Sequence, residues 1–405
     1  MLKVTVVGQG YVGLPLAIKL AEVGNSVIGL DTDKSKVLNL LQGITPMADL
    51  DSENLKDLIT NEKYTPSSDP TSMKDSDVFV IAVPTPLSQK KEPDLTQLEA
   101  AAKMIAENCR PGSLVINEST SYPGTLRNII KPIFEKYSIG QHYFASAPER
   151  MDPSNNLWNL SNTPRIISGL NETATQRTFD FYSLFCDEVY IVSTPEVAEA
   201  AKLFENSFRQ VNIALVNEFS MISSVLGFST NEAIQAASTK PFGFMPFFPS
   251  IGVGGHCIPI DPSYLSYAAK KVGVKANLIE LATTTNLNMV KYVVDKIIKI
   301  LGKSLSNLDI QVAGIAYKPG VSDLRESPAI DLIYELRSHG AKVSWHDPLV
   351  KTWQGEDSVQ ISDHIDLGLI VTPHEEISFS VWKSGNTKVL DLSANSKDYG
   401  WPKFL

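Results

Sequence analysis

The sequence contains little cysteine and no long hydrophobic run. Its 405 residues include three cysteines, Cys109, Cys186 and Cys257, and such an odd, sparse set is not a disulfide framework. The cysteines form no Cys-x-x-Cys pair and no cysteine–histidine cluster with zinc spacing, so we expect no metal site. The apolar stretches fall short of the roughly 18–20 residues that a membrane helix needs. We therefore expect no membrane partner.

Basic residues are outnumbered by acidic ones. The chain has 36 Lys and Arg against 45 Asp and Glu, a formal net charge of −9, which argues against a nucleic-acid-binding face. A local basic pocket for an anionic ligand is still compatible with this total. The N-terminal stretch MLKVTVVGQG reaches glycine within a few residues, which is typical of a strand and not of a secretory signal peptide. These features predict a cytoplasmic protein, and the length predicts two or three domains.

A glycine-rich turn follows the first predicted strand, Lys3–Val7, and opens a predicted helix. The turn has the pattern G-x-G-x-x-G, formed by Gly8, Gly10 and Gly13. In this pattern the first glycine permits a tight turn, the second lets the backbone approach a pyrophosphate, and the third allows close helix–strand packing. The next predicted strand, Val27–Leu30, ends at Asp31, which would accept hydrogen bonds from ribose hydroxyls and repel a 2′-phosphate. This context predicts an NAD site in preference to an NADP site.

Strands and helices alternate at both ends of the chain, which predicts mainly parallel sheets with helices on both faces. Further strands are predicted at Val78–Val83, Leu114–Asn117, Tyr143–Ser146, Glu188–Val192, Ile310–Ile315, Val343–His346, Leu367–Val371 and Val389–Leu392. Between the two regions, Glu196 to Leu226 lacks proline and glycine and repeats apolar residues at helical spacing. That segment predicts one long helix or a close pair, and more helix is expected at Thr230–Ser238 and from Ser263 to about Ile300.

The predicted fold is therefore α/β, with two Rossmann-like doubly wound domains joined by a long central helical segment. We place the first α/β domain at 1–195 and the helical domain, with a thiol-bearing loop, at 196–304. The second, smaller α/β domain spans 305–405. The central helix is too long for a simple crossover, so we expect a homodimer built through it.

The segment GVGGHCIPIDP at 252–262 surrounds Cys257. Three glycines before the cysteine indicate a tightly bent backbone with room for a ligand. His256 and Asp261 would perturb the pKa of the thiol in opposite directions, so the residues alone leave a catalytic and a structural Cys257 equally open. For Cys109 and Cys186 we favour a role as small buried hydrophobic residues.

The longer segment GVGGHCIPIDPSYL resembles the active-site loop of the UDP-sugar 6-dehydrogenases, in the branch that acts on UDP-N-acetylhexosamines. Six other segments match in the same order: GQGYVGLPLA at 8–17, VPTPL at 83–87, ESTSYPGT at 118–125, APER at 147–150, EAAKLFEN at 199–206 and SDLRESPA at 322–329. The resemblance spans nearly the whole chain. It implies a four-electron oxidation that converts the 6-hydroxymethyl group of a UDP-linked amino sugar to a carboxylate, with two NAD molecules and one water.

The resemblance implies a covalent mechanism. Cys257 matches the nucleophile that attacks the aldehyde made by the first hydride transfer, giving a thiohemiacetal and then a thioester that water hydrolyses. Lys202 and Asn206 match a lysine and an asparagine of the family. They are spaced i, i+4 on the long helix and could stabilise the developing oxyanion. The alternative for Lys202 is an ordinary solvated helix lysine.

Three further residues match catalytic positions of the family. Asp261 matches the aspartate assigned to water activation and proton handling, Thr120 a threonine that holds a water, and Glu149 a glutamate implicated in thioester hydrolysis. Thr120 and Glu149 could instead cap turns, and His256 could serve only to shape the loop.

Binding residues follow from the same matches. Cofactor contacts are implied for Gly8, Gly10, Tyr11, Val12, Gly13, Asp31, Lys36, Pro84, Thr85, Thr120 and Arg325. Substrate contacts are implied for Glu149, Arg150, Lys202, Asn206, Phe247, Gly254, His256, Cys257 and Lys318. Arginine suits phosphate because its planar fork binds two oxygens, although Lys318 and Arg325 could also be surface charges on loops.

The identity of the sugar depends on smaller differences. GGHCIPID differs from the GGxCFPKD pattern of the glucose enzymes, and Pro153 stands where those enzymes typically carry a second glutamate. Residues 240–249, KPFGFMPFFP, resemble the enzymes that use UDP-N-acetylglucosamine more than those that use the mannosamine epimer. Two departures could alter substrate contacts: Ser250-Ile251 replaces a usual Gly-Pro, and Ser393-Ala394 stands where an arginine-containing turn is common.

Other functions remain as alternatives. The first is a UDP-N-acetylmannosamine 6-dehydrogenase, followed by a UDP-glucose 6-dehydrogenase. A two-electron dehydrogenase of the 6-phosphogluconate type would share the domain plan but would need no thiol. A non-catalytic nucleotide-sugar sensor would have no use for a nucleophile and a base, so the set of matched residues argues against it.

Overall fold

The computed structural model describes residues 1–45, 47, 50–152, 155 and 157–405. Pro153, on which one substrate argument rests, lies outside the described residues. The chain forms two compact units: unit 1 comprises Met1–Glu205 and Tyr267–Val272, and unit 2 comprises Asn206–Ser266 and Gly273–Leu405. The division into three domains at residues 195 and 304 stays a prediction.

Unit 1 is built on an eight-stranded sheet. Its strands are β1 (Lys3–Val7), β2 (Ser26–Leu30), β3 (Tyr64–Ser67), β4 (Val78–Ile81), β5 (Leu114–Asn117), β6 (Tyr143–Ser146), β7 (Arg165–Gly169) and β8 (Val189–Ile191). They lie in the order β3-β2-β1-β4-β5-β6-β7-β8, and the β6–β7 pair is antiparallel whereas the others are parallel. The chain reverses its direction across the sheet between β1 and β4. In such sheets ligands bind beyond the carboxyl ends of the strands at that reversal.

The helices of unit 1 cover both faces of this sheet. They are α1 (Gly13–Glu22), α2 (Lys34–Leu41), α3 (Ser52–Thr60), α4 (Thr96–Asn108), α5 (Lys131–Tyr137) and α6 (Glu172–Tyr182), with a 3₁₀ turn at Pro70–Met73 and a π turn at Leu126–Ile130. Leu14, Leu16 and Leu20 of α1 are fully buried in one core with Val4 and Val6 of β1. Burial of each leucine contributes roughly 2 kcal/mol, which fixes the helix that begins at the glycine turn against the sheet.

A long helix, α7 (Pro195–Leu226), begins in unit 1 and continues into unit 2. It is followed by α8 (Thr230–Ser238), α9 (Asp261–Lys271), α10 (Asn277–Leu287) and α11 (Met289–Leu301). The sequence predicted one long helix or a close pair from Glu196 to Leu226, and the structure has one helix, which begins one residue earlier than expected. The helical pattern from Ser263 to about Ile300 is divided into three helices.

Unit 2 also contains a second, smaller sheet. Strands β9 (Asp309–Ala313), β10 (Lys342–His346), β13 (Leu367–Ile370) and β14 (Lys388–Asp391) are parallel in the order β10-β9-β13-β14. Strands β11 (Thr352–Trp353) and β12 (Glu356–Asp357) form a short antiparallel pair, and helices α12 (Pro328–Ser338) and α13 (Ser380–Ser384) complete the unit. Here the reversal lies between β9 and β13. The predicted α/β class with two doubly wound sheets is confirmed.

Two strands of the first sheet are absent from the sequence predictions. β3 is an edge strand of four residues that includes Pro66, and proline lowers the strand signal because it cannot donate a ladder hydrogen bond. β7 reads RIISG, a run too short to be recognised by periodicity. Among the described residues, no helix has both the length and the apolarity needed to cross a bilayer.

Candidate active site

The glycine turn after β1 has the close packing that its pattern predicts. A Cβ on Gly8 would overlap the carbonyl oxygen of Ala82, and a Cβ on Gly13 would overlap the carbonyl oxygen of Gly8. Gly10, in contrast, has open space within 4 Å of the position that a Cβ would occupy. Packing thus requires glycine at positions 8 and 13, whereas the backbone of Gly10 is open to a ligand. This arrangement fits a dinucleotide pyrophosphate at the N-terminus of α1.

Asp31, at the carboxyl end of β2, is turned toward this glycine turn. Its Oδ2 atom accepts a hydrogen bond from the backbone N–H of Gln9 at 2.9 Å. The same atom forms an ion pair with Nζ of Lys36 at 2.7 Å. Oδ1 accepts the backbone N–H of Asp33 at 3.0 Å. Lys36 therefore holds the carboxylate in place. We missed this relationship in the sequence, where both residues stood only as separate cofactor contacts.

The buried side chains of Gln9 and Tyr64 stabilise the same turn through hydrogen bonds. Gln9 is fully buried, donates from Nε2 to the carbonyl oxygen of Val6 at 2.8 Å and accepts the hydroxyl of Tyr64 at 2.8 Å. Their roles were not apparent from the sequence, because Tyr64 belongs to the unpredicted edge strand.

The loops that follow β4 and β5 are tied together by Ser119. Its hydroxyl accepts the backbone N–H of Val83 at 2.9 Å and donates to the carbonyl oxygen of Val83 at 2.8 Å. This link fixes the loop that carries Pro84 and Thr85 to the loop that carries Thr120, which is half-buried. The predicted cofactor residues of the two loops therefore share one edge of the sheet.

A buried charged cluster lies at the edge where β5 and β6 end. Arg165 extends Nη2 to Oε2 of Glu149 at 2.7 Å and Nη1 to Oε2 of Glu118 at 3.6 Å. The hydroxyl of Tyr182 donates to Oε1 of Glu118. All four residues are at most 5% exposed. Glu149 was predicted as a catalytic residue, whereas Glu118, Arg165 and Tyr182 were not.

The two carboxylates of this cluster have different acidities. Burial raises the pKa of Glu118 to about 7, although Arg165 opposes the shift. Burial also acts on Glu149, but there Arg165 and the N–H of Met151 prevail and lower the pKa. Lys202 on α7 favours the ionised form of both groups. Glu149 is therefore an anion at neutral pH, while Glu118 is close to its midpoint.

Arg150 lies in a different setting from its neighbour Glu149. It makes two hydrogen bonds to the carboxylate of Glu205, at 3.0 Å from Nε and 2.6 Å from Nη2, and one from Nη1 to the carbonyl oxygen of Pro164 at 2.8 Å. Its guanidinium is thus paired with a side chain of α7. The predicted contact of Arg150 with substrate stays a prediction.

Glu199 links α7 to the loop after β5. Its carboxylate, 1% exposed, accepts the backbone N–H groups of Gly124 at 2.7 Å and Leu126 at 3.0 Å. Burial raises the pKa of Glu199 to about 7, although these N–H groups oppose the shift. Since Glu199 lies one helical turn before Lys202, it couples the position of that lysine to the loop that begins with Thr120.

In unit 2, the thiol loop runs directly into α9. The carbonyl oxygen of Cys257 accepts the backbone N–H groups of Ile260 at 3.1 Å and Asp261 at 2.8 Å. Cys257 is partly exposed, whereas Asp261 is 1% exposed and accepts Nδ2 of Asn206 at 2.6 Å. The structure thus brings together three of the residues that the resemblance implies are catalytic.

The glycines of the thiol loop are packed against the loop that follows β9. A Cβ on Gly254 would lie 2.8 Å from Cβ of Tyr317, and a Cβ on Gly255 would lie 2.8 Å from its ring. The N–H of Gly255 also donates to the carbonyl oxygen of Arg325 at 3.0 Å. The absence of a side chain at Gly254 is therefore explained by Tyr317, and a substrate contact at Gly254 stays a prediction.

Arg325 also contacts the predicted substrate residue His256. Its Nη2 lies 3.3 Å from Nδ1 of His256, and its guanidinium is paired with Asp323 at 2.6–2.9 Å. Burial disfavours the Asp323 carboxylate, but these hydrogen bonds prevail and lower its pKa. Arg325 therefore positions the thiol loop within unit 2, in addition to the cofactor contact that the resemblance implies.

The two departures from the family pattern have local partners. The N–H of Ser250 donates to Oδ1 of Asn217 at 2.8 Å, its hydroxyl donates to the carbonyl oxygen of Gly252 at 2.6 Å, and Ile251 is buried in the core of unit 2. At the other departure, Nζ of Lys403 lies 2.6 Å from Oγ of Ser393 and 2.9 Å from Oδ2 of Asp391. The ammonium group of Lys403 thus contacts the turn that follows β14.

The predicted roles of three more residues stay predictions. The ring of Phe247 packs edge to face against the ring of Phe208, with ring centroids 5.9 Å apart. Lys318 is half-buried in the loop after β9. Tyr11, in the glycine turn, is 39% exposed.

In the portion of the chain that the structure describes, no group of three or more His, Cys, Asp or Glu side chains is arranged to hold a metal.

The chain is similar to known proteins along most of its length. Three family models match in order: the NAD-binding, central and UDP-binding domains of the UDP-glucose/GDP-mannose dehydrogenase family, at residues 2–190, 196–288 and 311–393. A UDP-N-acetyl-D-glucosamine 6-dehydrogenase of Pseudomonas aeruginosa is 34% identical over 86% of this chain and 83% of its own length. A UDP-N-acetyl-D-mannosamine dehydrogenase of Pyrococcus horikoshii is 34% identical over 95% of this chain and 92% of its own. A solved structure of UDP-D-ManNAc dehydrogenase from that organism superposes with a TM-score of 0.87 and 32% identity, covering 98% of this chain and 97% of the other. The chain belongs to the UDP-glucose/GDP-mannose dehydrogenase family, whose members are NAD-dependent nucleotide-sugar dehydrogenases.

Proposed function

We propose that the protein oxidises C6 of UDP-N-acetylglucosamine to give UDP-N-acetylglucosaminuronate. The overall reaction consumes one hydroxymethyl group, two NAD⁺ and one water, and it yields a carboxylate, two NADH and three protons. The observation that carries the proposal is the arrangement of the thiol loop, where Cys257 lies one turn before a buried Asp261 that is hydrogen-bonded to Asn206. A two-electron dehydrogenase needs neither a thiol nor this buried base.

NAD supplies the acceptor for both hydrides. The Cys257 thiolate adds to the aldehyde carbon after the first oxidation, forming a carbon–sulfur bond in a thiohemiacetal. The second oxidation leaves a thioester on Cys257, and water then breaks the carbon–sulfur bond and releases the acid. Asp261 is assigned the proton transfers to and from water, because a carboxylate with an amide partner can accept a proton and remain oriented.

Four other residues complete the proposed mechanism. Lys202 and Asn206 would stabilise the negative charge that develops on the carbonyl oxygen as the thiolate adds. Thr120 would hold the hydrolytic water. Glu149 is suited to assist thioester hydrolysis because Arg165 holds it in the anionic form. The cofactor would be held at the glycine turn and by Asp31, which Lys36 orients.

The choice of the gluco epimer is supported by residues 240–249, KPFGFMPFFP, and by a UDP-N-acetyl-D-glucosamine 6-dehydrogenase among the relatives. The second candidate is the mannosamine epimer, because relatives of equal identity act on UDP-N-acetyl-D-mannosamine by name. Both candidates use the same chemistry.

The decisive experiment measures NADH formed per sugar consumed. Purified protein, NAD and one of UDP-GlcNAc, UDP-ManNAc, UDP-GalNAc or UDP-glucose would be followed at the nicotinamide absorbance, with the product identified by mass. We expect two NADH per sugar and a preference for UDP-GlcNAc. Cys257→Ala should lower kcat by about a thousandfold or more, while Cys109→Ser, a matched change outside the thiol loop, should leave kcat near that of the wild type. One NADH per sugar would contradict the thioester mechanism.

We also propose that two copies of the chain pair through α7. Five large apolar side chains on this helix are 42–87% exposed and are separated by steps of four, seven, seven and three residues, which fit the two apolar positions of a heptad pattern: Phe204, Phe208, Leu215, Ile222 and Val225. Such a stripe is typical of a helix that packs against a second helix. Leu215→Glu should shift the sedimentation coefficient to that of a monomer. Ser224→Glu, also exposed but outside the stripe, should not, and a wild-type monomer would contradict the proposal.

A further inference from the structure

A buried carboxylate gathers backbone N–H groups at the carboxyl end of β10. The side chain of Asp347 is fully buried. Its Oδ2 accepts the N–H groups of Ile315 at 2.9 Å and Ala316 at 3.1 Å, and its Oδ1 accepts those of Leu349 at 3.0 Å and Val350 at 3.1 Å. Burial disfavours the anion, but the side chain of His374 and the N–H groups of Ile315 and Ala316 prevail and lower the pKa of Asp347. One carboxylate therefore fixes the start of the loop that follows β9.

His374 fixes the other end of the same loop. Its side chain is also fully buried, its Nε2 lies 3.1 Å from Oδ2 of Asp347, and its Nδ1 accepts the N–H of Gly320 at 3.1 Å. A backbone N–H can only donate, so Nδ1 carries no proton, and Nε2 must carry the proton that is donated to Asp347. The two contacts together define one tautomer of the imidazole, with the proton on Nε2.

The position of this pair in the sheet explains what it controls. Asp347 follows β10 and His374 follows β13, and these strands flank β9 on its two sides. The loop at 315–320 is thus held from both neighbouring strands at the carboxyl edge, beside the reversal point between β9 and β13. This is the place where open α/β sheets bind their ligands.

The residues between the two anchors connect the loop to the site. Lys318 lies between Ala316 and Gly320, and Tyr317 packs against the thiol-loop glycines Gly254 and Gly255. The hydroxyl of Thr372 donates to the carbonyl oxygen of Ala316 at 2.7 Å. The loop that carries the Lys318 cation is therefore held by backbone hydrogen bonds at both of its ends.

We propose that the buried Asp347–His374 pair positions the loop at 315–320 so that Lys318 binds the diphosphate of a uridine nucleotide. The pair consists of positioning residues, since both side chains are enclosed and act through the backbone of the loop. A preordered lysine binds an anion more tightly because less conformational entropy is lost on binding. The inference rests on the proposed function in one respect, the assignment of a UDP-linked sugar as the ligand of Lys318.

Calorimetric titration of the full-length protein with UDP alone tests this inference without turnover. We expect His374→Ala to weaken UDP binding about tenfold and to raise KM for the UDP-sugar by a similar factor, with kcat within about twofold. His374→Asn keeps an acceptor near Nδ1 for Gly320 and should recover part of the affinity. His374→Gln keeps a donor for Asp347 but lacks that acceptor, so it should recover less. His364→Ala, which changes a histidine that is 95% exposed in the same unit, is the matched control.

Two further measurements separate positioning from general stability. Nitrogen NMR of the wild type should show His374 protonated at Nε2 and unprotonated at Nδ1. All titrations are made well below the melting temperature of each variant, so a variant that is less stable but fully folded still reports its affinity. UDP binding by folded His374→Ala equal to that of the wild type would overturn the inference, as would a wild type that does not bind UDP. A wild type that binds UDP through His374 but oxidises no UDP-hexosamine would leave the inference standing and refute the proposed function.

Discussion

Asn206 donates from Nδ2 to Oδ2 of Asp261 at 2.6 Å, although the two residues are 55 positions apart in the chain. Asn206 belongs to α7, whereas Asp261 is the first residue of α9 and carries the backbone N–H that is bonded to the Cys257 carbonyl. The orientation of the buried carboxylate is therefore set from α7. Asn206 acts on the proposed base Asp261 in addition to the oxyanion role that its family match implies.

Removal of this hydrogen bond should reduce turnover more than binding. We expect Asn206→Ala to lower kcat for the UDP-sugar by about a hundredfold, in the range found when an oriented catalytic donor is lost, with KM for NAD unchanged. Asn206→Asp should be worse, because it places two carboxylates in contact. Asn212→Ala, which removes an amide that donates to the carbonyl oxygen of Phe208 on the same helix, is the control. More than half of wild-type kcat in Asn206→Ala would refute this role.

Arg165 should be essential to the stability of unit 1. Its replacement by methionine removes the cation that pairs with the buried Glu149 carboxylate at 2.7 Å, and breaking a buried ion pair by removing one partner costs about 3–5 kcal/mol. The additional change Glu149→Gln removes the carboxylate that is left unpaired and should recover part of that loss, which a urea denaturation series on the single and double variants would measure. If the double variant is less stable than Arg165→Met alone, the unpaired Glu149 carboxylate is not the cause.

This cluster also shows which parts of the site the sequence could not predict. Glu118 and Glu149 occur in segments that match the family, but Arg165 lies at the start of β7, which gave no clear strand signal. Since β7 runs antiparallel to β6, its first residue lies at the edge where β6 ends. Proximity of this kind depends on sheet order and strand direction, so no spacing in the chain indicates it.

Features formed by residues that are close in the sequence could be predicted from it. The glycine turn, α1 and Asp31 lie within one short β–α–β unit whose packing is determined by neighbouring residues. The bounds of α7 were within one residue because a long run without proline or glycine specifies a helix by itself. The partners of predicted residues, such as Lys36 for Asp31 and Glu205 for Arg150, required the structure.

Glu199 should make the stability of the protein depend on pH. Its pKa is raised to about 7 in the folded chain from a usual 4.5, so between these values the folded chain retains a proton that the unfolded chain has released. Stability then falls as pH rises through this window, by about 3 kcal/mol in total for this group. In Glu199→Gln the urea midpoint should therefore vary less between pH 5 and pH 7.

The matched control for this effect is Glu196→Gln on the same helix. The hydrogen bond from Arg127 lowers the pKa of Glu196, so Glu196 contributes stability that is lost only as pH falls below its usual value of 4.5. Its replacement should leave the slope between pH 5 and pH 7 unchanged. An equal slope in Glu199→Gln and the wild type would show that the buried carboxyl does not titrate in this range.

Substitution by alanine should lower the melting temperature at Gly13 and weaken NAD binding at Gly10. Neither glycine has a left-handed φ, so alanine is permitted by the backbone at both positions, and the difference lies in the surrounding space. A Cβ on Gly13 overlaps the carbonyl oxygen of Gly8, so Gly13→Ala should lower the melting temperature by several degrees, because overpacking costs about 1–3 kcal/mol. A Cβ on Gly10 meets no protein atom, so Gly10→Ala should melt like the wild type but bind NAD at least tenfold more weakly, because the methyl group occupies the approach of the pyrophosphate. Thermal melting and NAD titration of the two variants test both expectations, and wild-type NAD affinity in Gly10→Ala would remove the pyrophosphate from this turn.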